Sequence, residues 1–173
     1  MLLGYDLHGW VILSAMPSQF FRANVGVVVV RADGLVLALE RSDRPGQWQF
    51  PQGGLDEGEE PAHAALRELE EETGIPPERV ELLAEYPEWL AYELPPDRRR
   101  RKTGRGQVQR WFIYRFSGDD GDIDLEQPSG GRQEFVAYRW MELQALADAV
   151  WGPKRPIYQA LAEAWADSLA ADR

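Results

Sequence analysis

Residues 53–75, GGLDEGEEPAHAALRELEEETGI, join a glycine-rich turn to one amphipathic helix. Pro61 suits the first helical turn, where its missing N–H leaves no bond unmade. Glu59 and Glu60 stand where the helix dipole favours negative charge. Gly74 supplies a left-handed stop. Ala62, Ala65, Leu66, Leu69 and Thr73 recur at three- and four-residue spacing and form one buried face. Glu68, Glu71 and Glu72 share a neighbouring arc of roughly 100°, at ~100° per residue.

Three carboxylates on one arc repel each other, and Arg67 is the only strong base inside the helix. A solvated acidic face is the bland reading. A site for a hard cation is the other, because carboxylate oxygens bind Mg²⁺ and phosphate oxygens complete its shell. The turn favours the second reading. Gly53, Gly54 and Gly58 let backbone N–H groups approach an anion closely.

The rest of the chain supplies strands. Residues 24–32 (NVGVVVVRA) read as a central strand, apolar on both faces. Asp33-Gly34 is a hairpin turn, and 35–40 return as the next strand. Further strands are expected at 48–50, 80–86, 89–94, 107–116 and 135–141, with a short one near Ile123. Helices are expected at 142–150 and 157–169, the second burying Ile157, Ala160, Leu161, Ala164 and Trp165. Residues 95–106 read as an exposed loop bounded by proline and glycine. Mixed strands with three helices predict an α/β class fold, an α/β/α sandwich around a mixed β-sheet.

With 173 residues, 44% hydrophobic and 28% charged, the chain has the composition of one ordinary globular domain. It divides into an N-terminal extension, 1–20, and a single domain, 21–173. A second start at Met16, an added strand and a packing arm all remain open for the extension. It lacks the basic flank and long apolar core of a secretory signal. No apolar run reaches the ~20 residues of a membrane span, so no membrane partner is expected. The chain has no cysteine, which removes thiolate chemistry and suits a cytoplasmic setting. A net charge of −10 argues against general or sequence-specific nucleic-acid binding. Positive charge is local instead: Arg98, Arg99, Arg100, Arg101, Lys102 and Arg105 crowd one loop, with no acidic run beside them in sequence. The sequence sets no oligomeric state.

Gly53, Glu59, Arg67-Glu68, Glu71-Glu72 and Gly74-Ile75 resemble the box of the Nudix hydrolases at every defined position. The resemblance covers most of 21–161. Arg22 to Gly26, Trp48 to Gly54, Trp89 to Tyr92, Gly106 to Phe112 and Glu134-Phe135 are similar to one branch of that family. It holds the bacterial RNA pyrophosphohydrolases and the asymmetric dinucleoside tetraphosphate hydrolases. The resemblance implies the same sandwich fold and a pyrophosphohydrolase. Its substrate would be a nucleotide polyphosphate or a 5′-triphosphorylated RNA end.

The implied roles fall on named residues. Glu68, Glu71, Glu72 and the more distant Glu134 would hold Mg²⁺, with Mn²⁺ as a substitute. One of the four would take a proton from water. Arg67 would orient the acids, with Glu59 as its partner. Arg22 and Arg41 would fork phosphate, Gln52 and Gly53 would meet the phosphate chain, and Tyr92 would stack on a base. Arg98 and Arg99 would meet the outgoing anionic chain. Val108 and Pro153 depart from the branch pattern, which concerns the outer nucleotide contacts. Two rivals stand beside this reading. One is an enzyme for mononucleotides, ADP-ribose or nucleotide sugars. The other is a non-catalytic binding module, which would be expected to lose box acids; none is lost here.

Overall fold

A strand that is apolar at both parities must be covered on both faces. The computed structural model describes residues 20–101, 103–126 and 133–170, with side chains to residue 166. In it the valine run forms β1, Phe21–Val30, at the middle of the sheet. Then follow β2 Val36–Arg41, β3 Trp48–Gln49, β4 Gln52–Gly54, α1 Pro61–Thr73, β5 Val80–Glu85, β6 Leu90–Glu93, β7 Gly106–Phe116, β8 Phe135–Met141, α2 Leu143–Ala149 and α3 Arg155–Ala170.

These eight strands make one mixed sheet with the main order β3-β2-β1-β7-β5. The long β1–β7 pair is parallel, from Phe21 opposite Gly106 to Val30 opposite Arg115. The other pairings are antiparallel: β4 lies on β1, β6 and β5 on β7, and β8 on β2. Strand alternation sorts the core into two halves. Val25, Val27, Val29, Leu37, Leu39, Phe112 and Tyr114 pack under α1 through Ala64, Ala65 and Leu69. Val28, Val30, Ala38, Trp111 and Ile113 pack on the other face, under α2 and α3 through Leu146, Tyr158 and Leu161. The chain is the α/β/α sandwich that its pattern predicts.

Several local readings need correction. Gly53-Gly54 belongs to β4, hydrogen-bonded to β1, where a bare turn was expected. The strand expected near Ile123 is a single 3₁₀ turn, Asp120–Asp122; Asp119 caps it with its own side chain, which competes with extended backbone. On α1, Ala64 is fully buried, whereas Ala62 and Leu66 are only partly so. On α3, Tyr158 takes the buried place and Ala164 is exposed. Gly74 does end α1 in the left-handed region, at φ 74°.

The basic loop also differs. It is not wholly exposed or unpaired: Arg99 donates to Glu93 Oε2 at 2.9 Å and to the Leu94 carbonyl at 2.7 Å, and Arg105 donates to Glu93 Oε1. Glu93 is adjacent in space through β6, which sequence spacing hides. The N-terminal extension lies outside the described residues except for Phe20, as does Lys102. No helix among the described residues is long and apolar enough to cross a membrane.

Candidate functional site

Arg67 is the hub of the acidic arc. Its Nε and Nη2 fork the Glu59 carboxylate at 2.8 and 2.9 Å. Nη1 donates to Glu68 Oε1 at 2.8 Å and to Glu71 Oε2 at 3.4 Å, and Nη2 also donates to the Gly54 carbonyl at 2.9 Å. One guanidinium thus ties the helix to the preceding loop and to β4. It holds the Glu59 carboxyl down at about 2, chiefly by hydrogen bonding.

Two of the other acids, Glu68 and Glu72, are strained electrostatically. Burial pushes the Glu68 carboxyl up, against the Arg67 bond, and Glu71 and Glu134 add to the rise. Glu72 lies deep in the fold yet keeps some accessible surface. Burial raises its carboxyl well above the usual range, helped by Glu134 and Glu68. The Gln52 backbone N–H donates to Glu72 Oε2 at 2.9 Å and partly offsets that. Glu134 joins the group from the segment before β8, where its carbonyl accepts the Ser42 N–H at 2.8 Å. Gly53 lies against this cluster with no room for a side chain: a Cβ there would collide with the Glu68 carboxylate.

The donor set is all oxygen and carries more negative charge than Arg67 alone balances. That chemistry fits a hard divalent cation. Among the described residues, no three acidic or imidazole side chains converge tightly enough to enclose an ion. Arg67 engages two of the acids and the Gln52 N–H a third.

Beside the arc opens a cavity of about 280 Å³. Its walls include Arg22, Arg41, Arg44 and Arg98, a concentration of cations in an acidic protein. Arg22 lies against Gly54. Arg41 sits where the β2–β8 register shifts, donates to Asp43 at 2.7 Å, and feels both Glu134 and Glu72. An aromatic wall completes the cavity. Tyr92 is buried, its hydroxyl donates to Gln107 Oε1 at 2.8 Å, and its ring meets Trp151 edge-on at 6.3 Å. The Arg44 and Arg98 guanidinium groups stand 5.8 and 5.4 Å from the Trp151 ring.

The floor holds a lysine that the sequence reading missed. Lys154 is 6% exposed. Its Nζ donates to Gln49 Oε1 at 2.9 Å and to Gln52 Oε1 at 2.8 Å. Burial pushes its amine down to about 7, with Arg41 and Arg44 adding to the fall and Glu72 opposing it. Tyr158, one turn along α3, fixes this corner: it stacks on Phe50 at 4.8 Å and accepts the Phe50 N–H at 2.9 Å. Gln52 therefore links the two halves of the site, Glu72 through its backbone and Lys154 through its side chain.

The fold thus gathers Arg22, Arg41, Gln52, Tyr92 and Arg98 around one cavity and sets Glu68, Glu71, Glu72 and Gly53 beside it. Arg99 is not brought in; it turns away to Glu93. Arg44, Gln49, Trp151 and Lys154 are additions. A faint signal for Lys154 was present, since the chain holds only two lysines among 19 basic residues. Its burial depends on α3 folding back over β3 and β4.

The NUDIX domain family model matches residues 20–161. An RNA pyrophosphohydrolase of Cereibacter sphaeroides is 43% identical over 87% of this chain and 93% of its own. Nudix hydrolase 26, chloroplastic, of Arabidopsis thaliana is 37% identical over 88% of this chain and 73% of its own. A C. elegans Ap4A hydrolase crystallised as a binary complex superposes with a TM-score of 0.64; it is 22% identical, over 84% of this chain and 98% of its own, and bears on the fold alone.

Proposed function

From the premise that this chain belongs to the Nudix hydrolase family, we propose that it removes pyrophosphate from 5′-triphosphorylated RNA ends. The observation that carries this reading is the direct link, through Gln52, between the acidic arc and a cation-walled cavity. A polyphosphate needs both, because its charge must be neutralised while one anhydride bond is presented to water. The 43% identity of an RNA pyrophosphohydrolase supports the choice of substrate. Dinucleoside polyphosphates are the second reading. They carry the same anionic chain, and the Tyr92–Trp151 wall offers a surface for either kind of base.

The roles follow from position. Arg22, Arg41, Arg44 and Lys154 bind non-bridging phosphate oxygens and fix the chain in the cavity. Tyr92 and Trp151 shield the attached base from water. Glu68, Glu71, Glu72 and Glu134 would hold Mg²⁺, or Mn²⁺ in its place. Bound there, the cation would screen the phosphates and make a water easier to deprotonate near neutral pH. One of the four glutamates accepts that proton. Arg67 keeps Glu68 and Glu71 in place, and its fork to Glu59 keeps Arg67 in place. A cytoplasmic setting belongs to the same proposal, since RNA ends and nucleotides occur there.

A substrate panel tests the reading. Triphosphorylated RNA should give the highest kcat/KM, diadenosine polyphosphates the next, and ADP-ribose and dNTPs far lower values. Preference for ADP-ribose or a dNTP would overturn it.

A further inference from the structure

Lys154 has a second chemical capacity, distinct from binding phosphate. A neutral amine has two N–H bonds and one lone pair. The two glutamine oxygens, at 2.9 and 2.8 Å, account for both N–H bonds. The lone pair is then left for an electrophile, and the amine lines a cavity of about 280 Å³. Arginines 22, 41, 44 and 98 line the same cavity and would concentrate a small phosphorylated molecule there.

We propose that Lys154 is a covalent modification site for acyl phosphates, which the cavity arginines hold by their phosphate group while the amine takes the acyl group. The Nζ lone pair attacks the acyl carbon. The bond from that carbon to the phosphate oxygen breaks, and inorganic phosphate leaves with the electron pair. One amine proton is lost to the departing phosphate, and an amide remains. Modification removes a cation and fills part of the floor. That the amide forms does not depend on the function proposed above; that it blocks turnover does.

The surroundings keep the amine reactive. Arg41 and Arg44 oppose its protonation, Glu72 and Glu134 favour it from a distance, Tyr92 offers only its ring at 5.8 Å, and burial outweighs them all. With its pKa at about 7, the amine is half neutral at neutral pH. An ordinary lysine is neutral only about once in 10³ under the same conditions. Lower basicity takes back about one and a half powers of ten in nucleophilicity, if amines follow the trend known for thiols. A preference of roughly tenfold or more remains.

The chain offers its own reference, because Lys102 is its only other lysine. The full-length protein is treated with acetyl phosphate at several pH values, and acetylation at each lysine is followed by peptide mass spectrometry. At pH 7, Lys154 should acetylate at least roughly tenfold faster than Lys102, and inorganic pyrophosphate should slow Lys154. In urea the two should react alike. N-hydroxysuccinimidyl acetate, which has no phosphate, should keep only the roughly tenfold preference that the neutral amine gives, and acetyl phosphate should exceed it. Equal rates in the native protein at pH 7, or rates at Lys154 indifferent to pyrophosphate, would overturn the proposal. Lys154→Arg should abolish modification at that position; should the variant not fold, the wild-type comparison stands alone. If Lys154 acetylates as expected and the untreated protein does not hydrolyse triphosphorylated RNA, the modification site holds and the assigned function fails; hydrolysis that acetylation leaves unaffected removes Lys154 from the phosphate-binding residues.

Discussion

Replacing Gly53 by alanine separates the site from the fold. The backbone at Gly53 lies outside the left-handed region, so alanine adopts it without strain. The added Cβ nevertheless falls well under 3.0 Å from the Glu68 carboxylate, a separation that real Cβ atoms essentially never show. Ordinary contact begins at 3.4 Å, so the carboxylate must move. Its displacement is about 1 Å or more, and misplacement on that scale costs ~10²-fold in rate. Such a loss is about 2.7 kcal/mol of transition-state stabilisation. Stability should change little, because the far end of a flexible side chain gives way and alanine restricts the unfolded chain slightly. Gly58→Ala is the converse control. Gly58 has φ 77° with nothing within 4 Å of an added Cβ. It should lose about 1 kcal/mol or more of stability, a few degrees in Tm, and keep its activity. The assays are pyrophosphate release under saturating Mg²⁺ and thermal melting of each variant. Gly53→Ala with near-normal kcat/KM would refute the placement of Glu68 in the working site.

Other perturbations probe the same account. Glu72→Gln should reduce turnover roughly 10²-fold or more, yet raise the Tm of the metal-free protein, because it removes a buried, repelled charge; a lower Tm would contradict the electrostatic reading. Lys154→Met should flatten the pH dependence of stability between about 7 and 10.5, the window in which the unfolded chain holds a proton that the folded chain has shed. In the wild type this group makes stability rise with pH across that window, and denaturant melts at pH 7 and 9.5 measure the difference. Neutralising Arg98, Arg100 and Arg101 together should weaken RNA binding and lessen its salt dependence, with Tm nearly unchanged; an unaltered salt slope would make the loop a bystander.

The sequence exposes the parts whose cause is local. The valine run declares a strand buried on both faces, and Gly74 and Pro61 mark the ends of α1, because backbone sterics decide each of these. The arc of Glu68, Glu71 and Glu72 is visible for the same reason, since helical periodicity alone brings them together. What depends on folding at a distance is hidden. Glu93 meets Arg99 and Arg105 only once β6 pairs with β7. Lys154 becomes buried only when Tyr158 stacks on Phe50 and draws α3 over the β3–β4 corner. Gly53-Gly54 looks like a turn because two glycines carry no strand propensity; pairing with Asn24 and Val25 makes it a strand.

We propose that the acidic arc and the cation-walled cavity act together on a 5′-triphosphate. The most direct test is product identification on triphosphorylated RNA, with Mg²⁺ and with excess chelator. Monophosphorylated RNA and intact pyrophosphate should form in equal amounts with Mg²⁺, and neither with chelator. Undiminished turnover in chelator, or no reaction on this RNA while another nucleotide is cleaved rapidly, would contradict it.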